Sequence, residues 1–244
     1  VVVGPLFSRG VAGFLGMSPD HHGRPDPVLQ QKMESAIRSG DAQAVAPIAG
    51  APQARLNDGA ALVAALRQLE QHPDDLDPLR ALLKAGVKPS SGGGSTDTLA
   101  EGIRVSRWAG PEPVQLLLDA GADTNQRLGS QPAWFAALSP RTHAAVLPLL
   151  LARGADLNAV DMAGSNAVYW AVFHQNWAAG ALLVERGARW RDVNMADGQS
   201  VRHRVEAQLR SSPDNPALRQ MLRTMGASAA PTGVASSVAP MGRP

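Results

Sequence analysis

Two stretches of the chain end alike: Leu116–Asn125 reads LLLDAGADTN and Leu149–Asn158 reads LLLARGADLN. Their glycines, Gly121 and Gly154, lie 154 − 121 = 33 residues apart. Glycines closing an apolar stretch stand at Gly86, Gly121, Gly154, Gly187 and Gly226, separated by 35, 33, 33 and 39 residues. A second series, Gly59, Gly94, Gly129, Gly164 and Gly198, runs at 35, 35, 35 and 34. Two interleaved series with one period constrain the fold more than composition does. A fixed period of this length means one supersecondary unit stacked many times, because a single unit cannot bury its own apolar face.

The unit follows from its glycines. A glycine after Leu116-Leu117-Leu118 or Leu182-Leu183-Val184 closes a helix, since it enters the left-handed region without a Cβ clash. The second glycine fits a tight turn ahead of the next helix. Each unit therefore reads turn, helix, short loop, helix, glycine.

On these residues the chain resembles the ankyrin-repeat family, whose unit reads D-x-x-G-x-T-P-L-H-x-A-A, then G-H, then I-V-x-L-L-L-x-x-G-A-D. Asp161–Val172, DMAGSNAVYWAV, matches the first part with Asn166, Ala167, Val168 and Tyr169 at T-P-L-H, and Gly129–Ala137, GSQPAWFAA, keeps Pro132 and the double alanine with Trp134 at the histidine place. GAD recurs at Gly121–Asp123 and Gly154–Asp156. Two stretches, RVSRWAGPEPVQLLL and LSPRTHAAVLPLLL, are longer than the pattern and are expected to enlarge the inter-helix loops. The resemblance implies an all-α solenoid of about six helix-turn-helix units with short β-turn or hairpin fingers, spanning 28–227. Met33–Gly50 supplies a first pair, and the pair VRHRVEAQL and PALRQMLRTMG closes the stack with a polar outer helix carrying Arg219 and Arg223, as a capping repeat requires.

The ends differ from this pattern. Residues 1–27 open with VVVGPLFSRGVAGFLGM, readable either as an extension or as the remnant of a signal or membrane segment. The second reading would place the chain in the periplasm or at a membrane, anchored upstream of residue 1. Its glycines and Pro5 break it too often for a confident span. Residues 228–244 are rich in Ala, Ser, Pro and Gly and fit a disordered tail.

Composition removes several functions. A formal charge of +2 with scattered arginines lacks the basic stripe of a nucleic-acid binder. The absence of cysteine excludes disulfides, thiolate zinc sites, iron–sulfur clusters and a thiol nucleophile. His143, His174 and His203 fall in different repeats, so a shared metal is not expected, and His21-His22 lies in a Pro/Gly/Asp-rich linker. The run SSGGGSTDT, Ser90–Thr98, lacks the G-K-[ST] ending of a phosphate loop and reads as a turn tip. Asp77 before Pro78 reads as a helix N-cap. Trp134 and Tyr169 read as packing residues with satisfied polar ends. No metal, nucleotide or cofactor is expected, nor catalysis. The competing reading is an enzyme, or enzyme subunit, whose site is built by residues 1–27.

The resemblance also implies where a protein partner would bind: the concave surface of turn tips and exposed first-helix positions. The family's variable positions flank the turn glycine and follow the double alanine. Carried over, they are Gly92, Gly93, Ser95, Ile103 and Arg104, then Arg127, Leu128, Ser130, Leu138 and Ser139, then Met162, Ala163, Ser165, Phe173 and His174, and last Ala196, Asp197 and Gln199. The set names Ile103, Arg104, Arg127, Leu128, Leu138, Met162, Phe173, His174 and Gln199 as candidate contacts, centred on Phe173 and His174. Apolar residues rimmed by Arg and His suit a protein interface. Neutralisation of a bacterial toxin, by covering its active site, is the specific role that the resemblance brings with it.

Overall fold

A computed structural model describes residues 27–39, 41–49, 58–89, 97–193 and 195–227. The readings made for 1–26 (a signal or anchor remnant, a non-repeat active site, His21-His22), for Gly92 to Gly94 and Ser95, and for 228–244 lie outside the described residues.

Among the described residues six helical pairs follow one another. They are α1 (Pro27–Arg38) with α2 (Ala42–Ala49), α3 (Asp58–Gln68) with α4 (Asp77–Lys84), and α5 (Thr98–Ala109) with α6 (Glu112–Asp119). A 3-10 helix (Ala133–Leu138) pairs with α7 (Val146–Ala152), α8 (Ala167–Phe173) with α9 (Trp177–Glu185), and α10 (Val201–Ser211) with α11 (Pro216–Ala227). First helices stack on first helices from α3 through α10. Among the described residues the antiparallel pair β1 (Arg127–Leu128) and β2 (Gln131–Pro132) forms a finger that turns at Gly129, and the Val160–Asn166 bridge closes the next.

The repeated motif that opened the sequence is a helix stop built four times over. Gly86, Gly121, Gly154 and Gly187 have φ of +89°, +93°, +87° and +91°. The residue after each turns its N–H back to a leucine carbonyl: Val87 to Leu82 at 3.1 Å, Ala122 to Leu117 at 2.9 Å, Ala155 to Leu150 at 3.0 Å and Ala188 to Leu183 at 2.9 Å. Such a bond satisfies carbonyls that the helix end would leave orphaned. The four leucines are fully buried and the four returning residues are buried beside them in the core. Local capping and the continuous core thus depend on the same residues.

Helix starts are capped by side chains where the sequence supplies one. Asp97 accepts from Ala100 N at 2.9 Å, Asn166 from Tyr169 N at 3.0 Å, Asn176 from Ala179 N at 3.2 Å and Ser200 from His203 N at 3.2 Å. Such caps contribute about 1 kcal/mol each.

Several expectations need correction. Asp77 is the first helical residue of α4, which has Leu76 at its N-cap and no side-chain cap. Gly59 lies in the first turn of α3 and Gly226 inside α11, so neither marks a turn or a helix stop. The longer stretch at 105–111 extends α5 to Ala109 and leaves a two-residue connection, Gly110-Pro111, instead of enlarging a loop; the stretch at 139–145 does form a longer loop. Trp134 is fully buried, yet its Nε1 has no hydrogen-bond partner. The leucines before the glycines, expected to face the stack, are core at Leu117, Leu150 and Leu183, whereas before Gly226 Leu222 is only half-buried and Leu218 and Met221 fill the core. Arg219 and Arg223 face solvent there.

Candidate functional site

The face made by the first helices is best read by counting from each helix's N-cap residue, which is Asp97, Pro132, Asn166 and Ser200 in four successive repeats. Six residues on stand Ile103, Leu138, Val172 and Glu206; seven on stand Arg104, Ser139, Phe173 and Ala207. Ile103 and Leu138 are 0% exposed and Val172 is 2% exposed, whereas Phe173 is 56% exposed. In the first three of these repeats position six points into the stack, and position seven faces out at Arg104 and Phe173; in the last, Glu206 instead pairs with Arg202 at the surface. Ile103 and Leu138 are therefore core residues, not contacts, which corrects the carried-over set. The alanines used to align the repeats placed α8 one residue out of step with its neighbours, and the capping residue restores the register.

The outward positions differ sharply along the stack. In α5, Glu101 at position four and Arg104 at position seven form a charge network with α3: Glu101 accepts from Arg67 Nε at 2.9 Å and from Arg104 Nε and Nη2 at 2.9 and 2.8 Å, and Arg104 also pairs with Glu70. Burial alone would raise the Glu101 pKa, but the two guanidiniums outweigh it and hold the carboxyl below its ordinary value. Glu101's hydrogen bond to Arg104 in turn raises the arginine, against the opposing effect of burial. Trp108, further along α5, lies under Arg107 at 4.3 Å and Arg104 at 5.8 Å from its ring centre. This part of the face is internally compensated.

In α8 the equivalent positions carry Trp170 and Phe173. Phe173 stacks with Tyr169 at 6.1 Å and meets Trp170 edge-on at 5.3 Å, while His174 stacks on Trp170 at 5.7 Å. The Trp170 Nε1 donates to Asp161 Oδ2 at 2.9 Å, which fixes the ring and ties it to the finger. Asp161 is 8% exposed and its Oδ1 also accepts from Ala163 N and Ser165 N at 2.9 and 2.8 Å. At the finger tip Met162 is 79% exposed. The Ser130 carbonyl accepts from both Met162 N and Arg127 Nη2, at 2.9 and 2.7 Å, and Arg127 Nη1 donates to Val160 O at 3.0 Å. The two fingers are thus locked together. Between the charged and aromatic stretches, the 3-10 repeat offers only Ala136 and Ser139 at the outward positions.

Of the expected residues, Arg127 and Met162 share the Ser130 carbonyl and Phe173 and His174 meet edge-on at 5.4 Å, and the Trp170–Asp161 hydrogen bond links the second pair to the finger that carries Met162. Arg104 is exposed but engaged by carboxylates, Leu128 is half-buried in β1, and Gln199 is exposed in the last finger, where its carbonyl accepts from Met195 N at 2.7 Å. Trp170 and Trp108 were missed. The signal for Trp170 was present in YWAVFH, whose aromatics recur at helical spacing on one side.

Other places offer less. Two hollows of about 540 Å³ at Gln71–Asp75 and about 410 Å³ at Ala109–Asp119 lie open at the surface, and a more enclosed cavity of about 240 Å³ lies between the 139–145 loop and α9, below the roughly 300 Å³ at which ligand pockets begin. Its polar groups are already used: Thr142 Oγ1 donates to Ala136 O, Asn176 Nδ2 to Leu138 O, and His143 Nδ1 accepts from Ala145 N. Among the described residues no group of three or more His, Asp or Glu is placed to hold a metal, and no helix is long and apolar enough to cross a membrane.

No family model matches the sequence, and a search of curated proteins finds no match. Solved structures do match the fold. The ankyrin repeat domain of Bcl-3, a member of the IkappaB protein family, aligns with TM-score 0.61 and 22% identity over 81% of this chain and 86% of that one. An ankyrin repeat domain from Acinetobacter baumannii aligns with TM-score 0.61 and 18% identity over 80% of this chain and 96% of that one.

Proposed function

We propose, from the ankyrin-repeat fold that this chain adopts, that it is a protein-binding module whose partner docks on the first-helix face at α8. One observation carries the reading: Tyr169, Trp170, Phe173 and His174 form a contiguous ring cluster, open to solvent at Phe173 and beside the exposed Met162, where the equivalent α5 positions are consumed by an ion network. Aromatic residues held in fixed rotamers lose little entropy on binding and dominate interface energetics. Trp170 already satisfies its indole N–H through Asp161, so covering the cluster strands no donor there. The face binds without chemistry of its own; covering the active site of a toxin would be one use of it.

The test is site-specific photocrosslinking in the host cell, with benzoylphenylalanine placed at Phe173 and, in separate proteins, at Arg104 and at Arg219 on the outer cap. A discrete protein adduct from position 173 that disappears with Trp170→Ser supports the reading. Adducts confined to position 219 would move the binding surface elsewhere.

A further inference from the structure

Resting on that reading, we infer that the segment bound at α8 is a short run of apolar side chains flanked by carboxylates. The charge around the cluster sets the sign. From Leu157 to Val184 the chain contains one acidic residue, Asp161, and no lysine or arginine. Asp161 is buried, with both oxygens occupied by Ala163 N, Ser165 N and the Trp170 indole, so it has nothing to offer a basic partner. In the neighbouring finger Asp197 is paired with Arg204 at 2.9 Å.

The cation joined to the cluster is Arg127, through the Ser130 carbonyl that it shares with Met162 and the Asp161–Trp170 hydrogen bond of the same finger. Its two hydrogen bonds go to carbonyl oxygens, those of Val160 and Ser130, and among the described residues no carboxylate lies within ion-pair distance of it. A guanidinium has five N–H donors in a fixed fork. Here the carbonyls orient the fork and leave donors and the whole formal charge for an incoming carboxylate. Because Ser130 O accepts from Arg127 and from Met162 N alike, the charge is held beside the exposed methionine.

The exposed apolar anchors are of the size that a few side chains of one segment cover. A fully buried aromatic side chain covers about 150–250 Å². Phe173 at 56% and Met162 at 79% exposure then present on the order of 300 Å² of apolar side chain. That area seats a few side chains of one segment.

The experiment uses the full chain as bait for a phage-displayed library of random 16-residue peptides, followed by anisotropy titration of the recovered peptides against wild type, Phe173→Ser and Arg127→Gln. The expected peptides combine Leu, Ile, Phe or Trp with an excess of Asp and Glu, bind Phe173→Ser at least tenfold more weakly and Arg127→Gln about threefold more weakly, and weaken with added salt. The circular dichroism melt of Phe173→Ser should match wild type; Arg127→Gln, which gives up the hydrogen bonds joining the two fingers, should keep its helical signal and melt slightly lower, and the salt dependence of binding separates its lost charge from that shift. Peptides that need Phe173 but carry basic flanks, or ignore Arg127, overturn this inference and leave the α8 face standing. Peptides indifferent to Phe173, or a selection that yields none, overturn both. A concentration-dependent dimer in sedimentation, abolished by Phe173→Ser, would assign the face to a second copy and also overturn the inference.

Discussion

The first-helix face of α5 and that of α8 occupy the same positions of one repeat and are finished in opposite ways. At positions four and seven after the cap, α5 carries Glu101 and Arg104 and α8 carries Trp170 and Phe173. The first pair is neutralised within the chain by Arg67 and Glu70; the second is open, with Phe173 56% exposed. The backbone repeat decides which positions face out. What each position can do is decided by whether its side chain already has a partner inside the protein.

That difference can be broken by substitution. The stack should suffer most from a change one position inward. Ile103→Ala is expected to cost about 2–5 kcal/mol, as emptying a packed core site does, while Phe173→Ala should stay within about 0.5 kcal/mol of wild type; urea unfolding followed by circular dichroism compares them. Similar costs at the two sites would mean that Phe173 is structural and that the faces do not differ in kind.

Asp97, 3% exposed, caps α5 and accepts from Gln126, and burial raises its pKa. Asp97→Ala should cost about 1–2 kcal/mol through loss of the cap, whereas Asp97→Asn keeps the acceptor and removes the buried charge. A raised folded pKa gives a contribution present below the ordinary carboxylate value and lost as pH rises through the folded value. The Asn variant should therefore gain on wild type between acid and neutral pH. A constant difference across that range would contradict the role of burial.

Glu101 has the opposite sign. Its pKa is depressed by the two arginines, so its contribution is present above the ordinary glutamate value and lost as pH falls through the folded one. Glu101→Gln should cost about 1 kcal/mol at pH 7, the upper end for partly exposed ion pairs, and nothing once the wild-type carboxylate is protonated. Stability curves of both proteins from acid to neutral pH check this. The smallest change is expected from Arg107→Gln, which uncovers one face of Trp108. About 0.5 kcal/mol, the figure for an exposed cation–π contact, should appear in its melting curve, and none if that contact is incidental.

Much of this architecture could be read from residues because the glycines and the leucines before them encode a helix stop and a core position together, at Leu82, Leu117, Leu150 and Leu183. The period gave a stacked unit, and the resemblance to the ankyrin-repeat family implied the number and kind of its helix pairs. Gly59 and Gly226 misled because a glycine within a helix looks the same in sequence as one that ends it. The site was harder. The repeat pattern picked out Phe173, His174 and Met162, which are exposed, but also Ile103 and Leu138, which are buried, because one residue on a helix is enough to exchange core for surface. The Glu101 network could not be anticipated, since it joins side chains 34 residues apart whose pairing depends on how the repeats stack. Nor could the carbonyls that hold Arg127, which belong to two different fingers.

The central claim is that the partner binds the open face of α8 and not the compensated face of α5. Isothermal titration of the protein captured at position 173 against wild type, Phe173→Asp and Arg104→Gln, with melting curves run in parallel, tests it most directly. A loss of about 30-fold or more for Phe173→Asp, roughly the 2 kcal/mol of a hot spot, with an unchanged melting temperature and less than about threefold for Arg104→Gln, is the predicted result. An unaltered affinity for Phe173→Asp, or the larger loss at Arg104, would contradict it.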